Sequence, residues 1–315
     1  MKLLITRPLP DPILDAARAV FDVEVRENTA PLGAGELRRA LTDFDVVLPT
    51  LGDAFSADVF ADVTEPRAKL LANFGVGYNH IDVEAAQNAG LLVSNTPGAV
   101  TDATADIAMT LMLMSARRAG EGERLVRAGV WEGWHPTQML GLHLSGKHVG
   151  IVGMGRIGQA IARRCHFGFS MQVSYFNRSA KEMEFPAVQV ASLGELAAQV
   201  DVLVVAVPGG ATRHLIDADI LRAMKPHAHL INIARGEVVH EAALIKALQQ
   251  GQIGGAGLDV YEFEPKVPKA LRDLDNVTLL PHLGTATLEV RTSMGLMAVE
   301  NAIAFAQGRP LPNPV

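Results

Sequence analysis

Short apolar runs alternate with segments of helical spacing along the first third of the chain, and this alternation predicts its fold class. The predicted strands of this part are Leu3–Thr6, Val23–Val25, Asp45–Thr50, Ala68–Phe74 and Leu91–Ser94. The segments with helical spacing between them are Pro12–Phe21, Glu36–Leu41, Ala57–Val63 and Val83–Ala89. Strands that alternate with helices in this way are typical of a parallel sheet covered on both faces.

A second α/β array follows a long helical region. This region, Thr101–Ala128, is predicted to break near Gly120, and the loop after it holds both tryptophans, Trp131 and Trp134. We interpret Trp131 as a core residue. The predicted strands of the second array are His148–Val152, Met171–Phe176, Val188–Val190, Val202–Val207, Ala228–Ile233, Gly255–Val260 and Val277–Leu280.

The last helix, Thr287–Gln307, has no strand of its own in the second array. We therefore expect it to pack on the first array, which makes the first domain discontinuous. The sequence thus predicts two α/β domains with doubly wound parallel sheets. One comprises residues 1–98 and 286–315, and the other comprises residues 99–285.

Composition narrows the class of protein. The chain has 315 residues, of which 49% are hydrophobic, so two domains with buried sheets are expected. A net charge of −6 without a basic run argues against nucleic acid as a partner. Cys165 is the only cysteine, so an intrachain disulfide and a thiolate metal site are excluded, and the histidines show no metal-ligand spacing. No segment resembles a signal peptide or is long enough to span a bilayer, so we expect a cytoplasmic protein without a membrane partner.

Three glycines mark the point where the second array begins. Gly153, Gly155 and Gly158 follow an apolar run and open a helix-like segment. In a dinucleotide site the first glycine makes the turn, the second lets the backbone approach the pyrophosphate, and the third lets helix and strand pack closely. The alternative is a glycine-rich turn that binds nothing. The strand-turn-helix context favours a dinucleotide site.

The residues after the next apolar run bear on the choice of dinucleotide. An NAD site usually places Asp or Glu here to accept a hydrogen bond from the ribose 2′-hydroxyl. Asn177 occupies that place, Arg178 can pair with a 2′-phosphate, and Ser179 adds a hydroxyl donor, with Lys181 nearby. These residues predict NADP as the cofactor, with NAD as a second possibility. The alternative is that Arg178 merely opens a solvated loop.

Polar side chains follow three apolar runs of the second array, where ligands bind in open α/β sheets. They are Arg235, Asp259 with Glu264 a few residues on, and His282. Arg can hold a carboxylate at two points, His can exchange a proton, and a nearby Glu can hold its tautomer. Singly, Arg235 could be solvated, Glu264 a turn carboxylate and His282 structural. Their joint position at strand ends favours an oxidoreductase site.

These motifs resemble one family along nearly the whole chain. The matching segments are Asn73–Asp82, Gly153–Gly158, Ile231–Gly236, Gly257–Pro265 and Leu280–His282. Together they resemble the D-isomer-specific 2-hydroxyacid dehydrogenases. Within that family the chain is most similar to glyoxylate/hydroxypyruvate reductases, partly through the spacing of Trp131 and Trp134.

The resemblance implies two Rossmann-like domains, the first a flavodoxin-like substrate domain and the second a dinucleotide domain, with the active site in the cleft between them. It implies reduction of glyoxylate or hydroxypyruvate to a D-2-hydroxy acid, with Arg235 binding the substrate, His282 as general acid and Glu264 as its partner. The implied substrate contacts are Leu51, Gly52, Val76, Gly77, Trp134, Arg235 and His282. The predicted cofactor contacts are Thr104, Gly153, Gly155, Arg156, Ile157, Gly158, Asn177, Arg178, Ser179, Val207, Pro208, Thr212, Ile233, Ala234, Asp259 and Gly284.

The resemblance also implies a homodimer, in which Trp134 reaches the neighbouring subunit's substrate site and the long helix with its loop supplies much of the interface. Two alternatives remain. One is a phosphoglycerate- or D-lactate-type dehydrogenase, of which the first is less favoured because we expect no added regulatory domain. The other is a cofactor-sensing, corepressor-like binding protein, because relatives of this fold can keep the same three residues.

Overall fold

The computed structural model describes residues 1–315 and divides into two compact α/β units. The first unit comprises Met1–Val100 and Ala286–Val315, and the second comprises Thr101–Thr285. Each unit contains one sheet, and every pair of neighbouring strands in both sheets is parallel. The predicted fold class is therefore confirmed.

The first unit has a five-stranded sheet in the order β2-β1-β3-β4-β5. Its strands are β1 (Lys2–Ile5), β2 (Asp22–Val25), β3 (Val46–Leu48), β4 (Leu70–Ala72) and β5 (Leu92–Ser94). The helices between them are α1 (Asp11–Arg18), α2 (Ala34–Asp43), α3 (Ala57–Ala61) and α4 (Val83–Asn88). This strand order is the flavodoxin-like one.

The second unit has a seven-stranded sheet. Its strands are β6 (His148–Val152), β7 (Gln172–Phe176), β8 (Ala187–Gln189), β9 (Val202–Val205), β10 (His229–Asn232), β11 (Gly255–Leu258) and β12 (Val277–Leu279). Its helices are α5 (Thr101–Ala116), α6 (Ala119–Arg127), α7 (Arg156–Phe169), α8 (Leu193–Gln199), α9 (Ala218–Ala223), α10 (Glu241–Gln249) and α11 (Lys269–Arg272). The strand order is β12-β11-β10-β9-β6-β7-β8, so the winding direction reverses between β6 and β9. At such a switch point the crevice at the carboxyl ends of the strands binds ligands.

The long helical region of the second unit is broken, as predicted, but at a different residue. α5 ends at Ala116, where its apolar run stops, and it packs on α7, β10 and β11. Arg118 has a left-handed backbone conformation (φ 54°) and forms a two-point ion pair with Glu121 in α6. The break therefore lies at this arginine rather than at Gly120, because the pair fixes the start of the new helix.

The final helix, α12 (Leu288–Ala306), packs on α1, β3 and β4 of the first unit. The Thr287 hydroxyl accepts a hydrogen bond from the Val290 N–H and caps its start. A Cβ at Gly295 would lie 2.2 Å from Ile13 Cδ1, so the two helices approach closely at this glycine. No helix in either unit has both the length and the apolar character needed to cross a membrane.

Candidate active site

The three glycines after β6 are required for three different reasons. Gly153 has φ +97°, and a Cβ there would lie 2.7 Å from the Ala206 carbonyl oxygen. A Cβ at Gly158 would lie 2.1 Å from the Gly153 carbonyl oxygen, so α7 packs directly on the turn. Gly155, in contrast, faces open space, since nothing lies within 4 Å of its Cβ position. The first and third glycines thus shape the turn, and the second leaves room for a ligand.

The first turn of α7 presents unpaired donors beside this open space. The N–H groups of Gly155, Arg156 and Ile157 find no acceptor within the chain. N–H groups at a helix start carry partial positive charge and bind phosphate oxygens well. The open space at Gly155 and the three free N–H donors therefore fit a dinucleotide pyrophosphate.

Two residues after β7 have different roles: Asn177 is hydrogen-bonded to the glycine turn, and Arg178 is unpaired. Asn177 Oδ1 accepts a hydrogen bond from the Met154 N–H at 3.2 Å, and its Nδ2 donates to the Ser179 carbonyl at 2.8 Å. The amide thus ties the glycine turn to the end of β7. Arg178 is exposed and makes no hydrogen bond or ion pair within the chain. It is free to pair with an anion at this edge.

The predicted residues after β9 lie on the other side of the same turn. A Cβ at Gly153 would also lie 2.7 Å from Val207 Cγ1, so this valine flanks the turn. The Thr212 hydroxyl donates a hydrogen bond to the Pro208 carbonyl, which closes the loop that follows β9. The switch point is therefore lined by these residues on one side and α7 on the other.

Three neighbouring strands deliver the remaining predicted residues to one edge of the sheet. In the register of β10, β11 and β12, Asn232 pairs with Leu258 and Leu258 pairs with Leu279. Arg235 and His282 therefore lie three residues beyond the ends of β10 and β12, and Asp259 lies directly after the end of β11 between them.

Asn232 shapes the turn that carries Arg235. Its Oδ1 accepts from the Ala234 N–H at 3.0 Å, and its Nδ2 donates to the Arg235 carbonyl at 3.0 Å. Ile233 and Ala234, the two residues between Asn232 and Arg235, are buried. The backbone at Arg235 is thus fixed by the two hydrogen bonds of Asn232.

His282 and Glu264 form a hydrogen-bonded pair, with 2.9 Å between Nδ1 and Oε2. The other oxygen of Glu264 accepts from the Tyr261 N–H at 2.9 Å. Burial alone would raise the pKa of Glu264, but the hydrogen bonds from His282 and Tyr261 and the charge of Arg235 hold that pKa below its usual range. An ionised carboxylate can only accept, so His282 Nδ1 carries the shared hydrogen and Nε2 remains for a substrate.

Asp259 organises the loop that carries His282. It is 1% exposed, and its two carboxylate oxygens accept from the Leu283 N–H at 2.6 Å and the Gly284 N–H at 2.8 Å. Burial raises its pKa, although these N–H donors oppose the shift. Thr104 Oγ1 donates to the Gly284 carbonyl at 3.2 Å, which places three predicted cofactor residues together.

Arg235 lies in a largely buried environment beside two carboxylates. Burial lowers the pKa of its guanidinium, whereas the charges of Glu264 and Glu237 raise it. Its Nη1 donates to the Ala234 carbonyl at 2.7 Å. Since Arg235 also lowers the pKa of Glu264, these two groups and His282 form one electrostatic unit.

The predicted substrate residues of the first unit lie on two loops and have N–H groups that make no hydrogen bond within the chain. Asn95 Nδ2 donates to the Val76 carbonyl at 2.9 Å, and Asn73 Nδ2 donates to the Gly77 carbonyl at 3.1 Å. The N–H groups of Val76 and Gly77 donate no hydrogen bond within the chain, nor do those of Leu51 and Gly52. Both loops thus present free donors of the kind that a carboxylate accepts.

One of the two tryptophans lies in a different environment from the predicted one. Trp131 is 53% exposed, so its interpretation as a core residue is wrong, and Trp134 is 80% exposed. The cause lies in the preceding helix. α6 has no buried residue, so the chain enters this loop at the surface of its unit.

A group of charged residues near the strand ends was not predicted from the sequence. It is formed by Arg213, His214, Glu237 and Glu262. Glu262 stands two residues before Glu264, within a segment already singled out, but no spacing rule links it to the other three. Only the fold brings them together.

Comparisons with known proteins identify the family of this chain. A family model described as "D-isomer specific 2-hydroxyacid dehydrogenase, NAD binding domain" matches residues 109–284. The glyoxylate reductase of Pyrococcus furiosus is 43% identical over 98% of this chain and 93% of its own length. That of Thermococcus onnurineus is also 43% identical, over 99% and 94%.

A solved structure shows the same fold with a ligand bound. It is the NADPH-dependent glyoxylate/hydroxypyruvate reductase of Sinorhizobium meliloti in complex with NADP and malonate, 35% identical, with a TM-score of 0.88 over 100% of this chain and 96% of that one. This chain belongs to the D-isomer-specific 2-hydroxyacid dehydrogenases and is an NAD(P)-dependent oxidoreductase of 2-oxo acids.

Proposed function

We propose that this protein reduces small 2-oxo acids, glyoxylate and hydroxypyruvate among them, to D-2-hydroxy acids, with NADPH preferred over NADH. The observation that carries the proposal is the His282–Glu264 pair, joined electrostatically to Arg235 at the carboxyl ends of adjacent strands. The names of the relatives and of the Sinorhizobium meliloti enzyme support the substrate class and the cofactor.

Arg235 is the proposed binding residue for the substrate. Its planar guanidinium can hold a carboxylate at two points and can also polarise a neighbouring keto oxygen. Negative charge develops on that oxygen during reduction. A fixed cation in a largely buried environment stabilises this charge without reorganising.

His282 is the proposed general acid. A bound nicotinamide dinucleotide supplies the hydride that the keto carbon accepts. His282 Nε2 gives its proton to the keto oxygen, while Nδ1–H stays hydrogen-bonded to Glu264. The carboxylate thus stabilises the protonated ring beforehand and fixes the tautomer that remains.

The cofactor is proposed to bind along the carboxyl edge of the second unit. The N–H groups at the start of α7 would take the pyrophosphate, with Arg156 beside them. Thr104, Asp259 and Gly284 would lie near the nicotinamide, on the loop that carries His282. On the substrate side, we propose that the N–H groups of Val76 and Gly77 bind the carboxylate.

Arg178 is proposed to read the 2′-phosphate. One charge-assisted hydrogen bond contributes about 1.5–3 kcal/mol, so kcat/KM should favour NADPH by roughly tenfold to a hundredfold. Asn177→Asp combined with Arg178→Ala should erode or reverse this ratio. The new aspartate can still accept from the Met154 N–H, so the turn should survive. Arg163→Ala, which removes an exposed cation of α7, should leave the ratio unchanged, and a parent enzyme that uses both dinucleotides equally would refute the assignment.

A homodimer is also proposed, with α6 and its loop at the interface. Exposed apolar side chains cluster there, and an unpaired apolar surface of this kind marks an interaction site. They are Val126, Val130, Trp131, Trp134 and Leu140. α5 buries half of its residues in its own unit, and its exposed Leu113 could add to this surface.

We predict a dimer in sedimentation equilibrium at micromolar concentration. Trp134→Ala should raise KM for the 2-oxo acid, because this side chain is proposed to reach the neighbouring subunit's substrate site. Phe167→Ala, which removes an aromatic ring that is also exposed, serves as the control. A monomer at that concentration, or an unchanged KM in Trp134→Ala, would rule this idea out.

A further inference from the structure

A second group of charged side chains lies at the carboxyl edge of the second unit, outside the proposed catalytic set. It joins three segments: the loop Gly209–His214 after β9, the turn that follows Arg235, and the strand end Tyr261–Glu264. We call its members, Arg213, His214, Glu237 and Glu262, the anchor cluster.

Glu262 is the centre of the anchor cluster. Its Oε1 accepts hydrogen bonds from Arg213 Nη2 at 2.8 Å and from His214 Nε2 at 2.7 Å, and its Oε2 accepts from the Glu241 N–H at 3.3 Å. The carboxylate is only 6% exposed. Burial would raise the pKa of Glu262, but the donors, led by His214, hold that pKa below its usual range. A buried carboxylate with this set of donors is a strong tether.

Glu237 holds the same loop from the turn after Arg235. Its Oε1 accepts from the Gly210 N–H at 2.7 Å, and its backbone carbonyl accepts from the His214 N–H, also at 2.7 Å. His214 has φ +52°, which is uncommon for a residue with a side chain. Such a conformation persists only where the surroundings fix it, and here the Glu262 carboxylate and the Glu237 backbone carbonyl both bond to His214.

The turn and the strand end also touch each other directly. A Cβ at Gly236 would lie 1.9 Å from the Tyr261 carbonyl oxygen and 2.3 Å from the Glu262 nitrogen. The backbone after Arg235 is therefore packed against the segment that ends in Glu264. The loop Gly209–His214 is tied to both.

We propose that Glu262 is a positioning residue for the dinucleotide. The loop that it tethers carries Thr212 and follows Pro208, which are predicted cofactor contacts, so the inference rests on the proposed function. Glu262 fixes this loop against the strand end that bears Glu264. The tether thus holds in place the loop that the dinucleotide is proposed to contact.

The test is a double-mutant cycle on dinucleotide affinity. Glu262→Gln keeps the shape of the side chain and removes its charge. Arg213→Met removes the loop residue that pairs with Glu262, at a position that is 53% exposed. Titration of NADPH fluorescence with the full-length protein should give a Kd raised about five- to tenfold in each variant. The double variant should bind NADPH about as tightly as Glu262→Gln alone, because that change already weakens the bond to Arg213 as well as the bond to His214. At saturating NADPH, kcat should change less than about twofold.

The control is an exposed ion pair of the same unit that shares no residue with these segments. Glu184→Gln and Arg163→Met disrupt it and should leave the NADPH Kd unchanged. If Glu262→Gln and Arg213→Met bind NADPH as the parent does, or if their effects add fully, the positioning role is wrong. The exposed arginine keeps the test decisive even if Glu262→Gln fails to fold. If the parent binds neither NADPH nor NADH, the proposed function itself fails.

Discussion

Replacement of His282 by Asn is expected to lower kcat for 2-oxo-acid reduction by about 10²-fold or more, the contribution of a positioned general acid. The ring is held through Nδ1 by Glu264, an ionised carboxylate, and its loop is fixed by Asp259. An asparagine can occupy this loop but has no proton to give at neutral pH. Hydride transfer would then leave an alkoxide without a proton donor.

Initial rates with glyoxylate and NADPH measure this loss, and thermal unfolding verifies that the variant is folded. His227→Asn is a matched control, because His227 also pairs with a carboxylate, Asp201, at 2.8 Å. It precedes β10, at the opposite end of the strand from Arg235, and its loss should leave kcat near the parent value. A His282→Asn enzyme that reduces glyoxylate at near-parent rates would show that another group supplies the proton.

Replacement of Arg235 by Lys is expected to lower kcat/KM for the 2-oxo acid by about 10²-fold, although the formal charge is kept. An ammonium cannot reproduce the planar two-point grip of a guanidinium. Burial already lowers the pKa of Arg235, and the same burial would act on a lysine whose intrinsic pKa is lower. The variant would therefore lose the two-point contact with the substrate and part of the positive charge at this position.

The effect of Arg235→Lys should appear in KM for the 2-oxo acid and in kcat, while the Kd for NADPH stays close to that of the parent. Arg222→Lys is the control, since Arg222 forms an exposed ion pair with Asp219 in α9. Exposed pairs of this kind contribute little, so its kinetics should match those of the parent. If Arg235→Lys keeps the parent kcat/KM, the substrate does not depend on a two-point contact at this residue.

The strands were predictable because buried parallel strands are continuous apolar runs, but their ends were not. Ala68–Phe74 and Asp45–Thr50 were predicted, whereas β4 covers Leu70–Ala72 and β3 covers Val46–Leu48. Thr50 and Phe74 still form an isolated parallel bridge beyond the two strands. The chain stays extended there after the regular ladder has ended, and the composition of a run does not reveal where pairing stops.

The site was predictable where its chemistry is local. A tight turn that precedes a helix requires glycine for steric reasons, so Gly153 and Gly158 could be assigned from their spacing together with the predicted strand and helix on either side. Contacts across the fold were not predictable in the same way. The bonds from Asn177 to the turn, from Asp259 to the His282 loop and from Glu262 to His214 join residues whose separations follow no rule.

The most direct test of the proposed function is an initial-rate panel of glyoxylate, hydroxypyruvate and pyruvate, each with NADPH and with NADH. The account predicts saturable oxidation of NADPH by glyoxylate or hydroxypyruvate. It also predicts a kcat/KM roughly ten- to a hundredfold above that with NADH, and a D-configured product from hydroxypyruvate. Oxidation of neither dinucleotide by any of the three acids would contradict it.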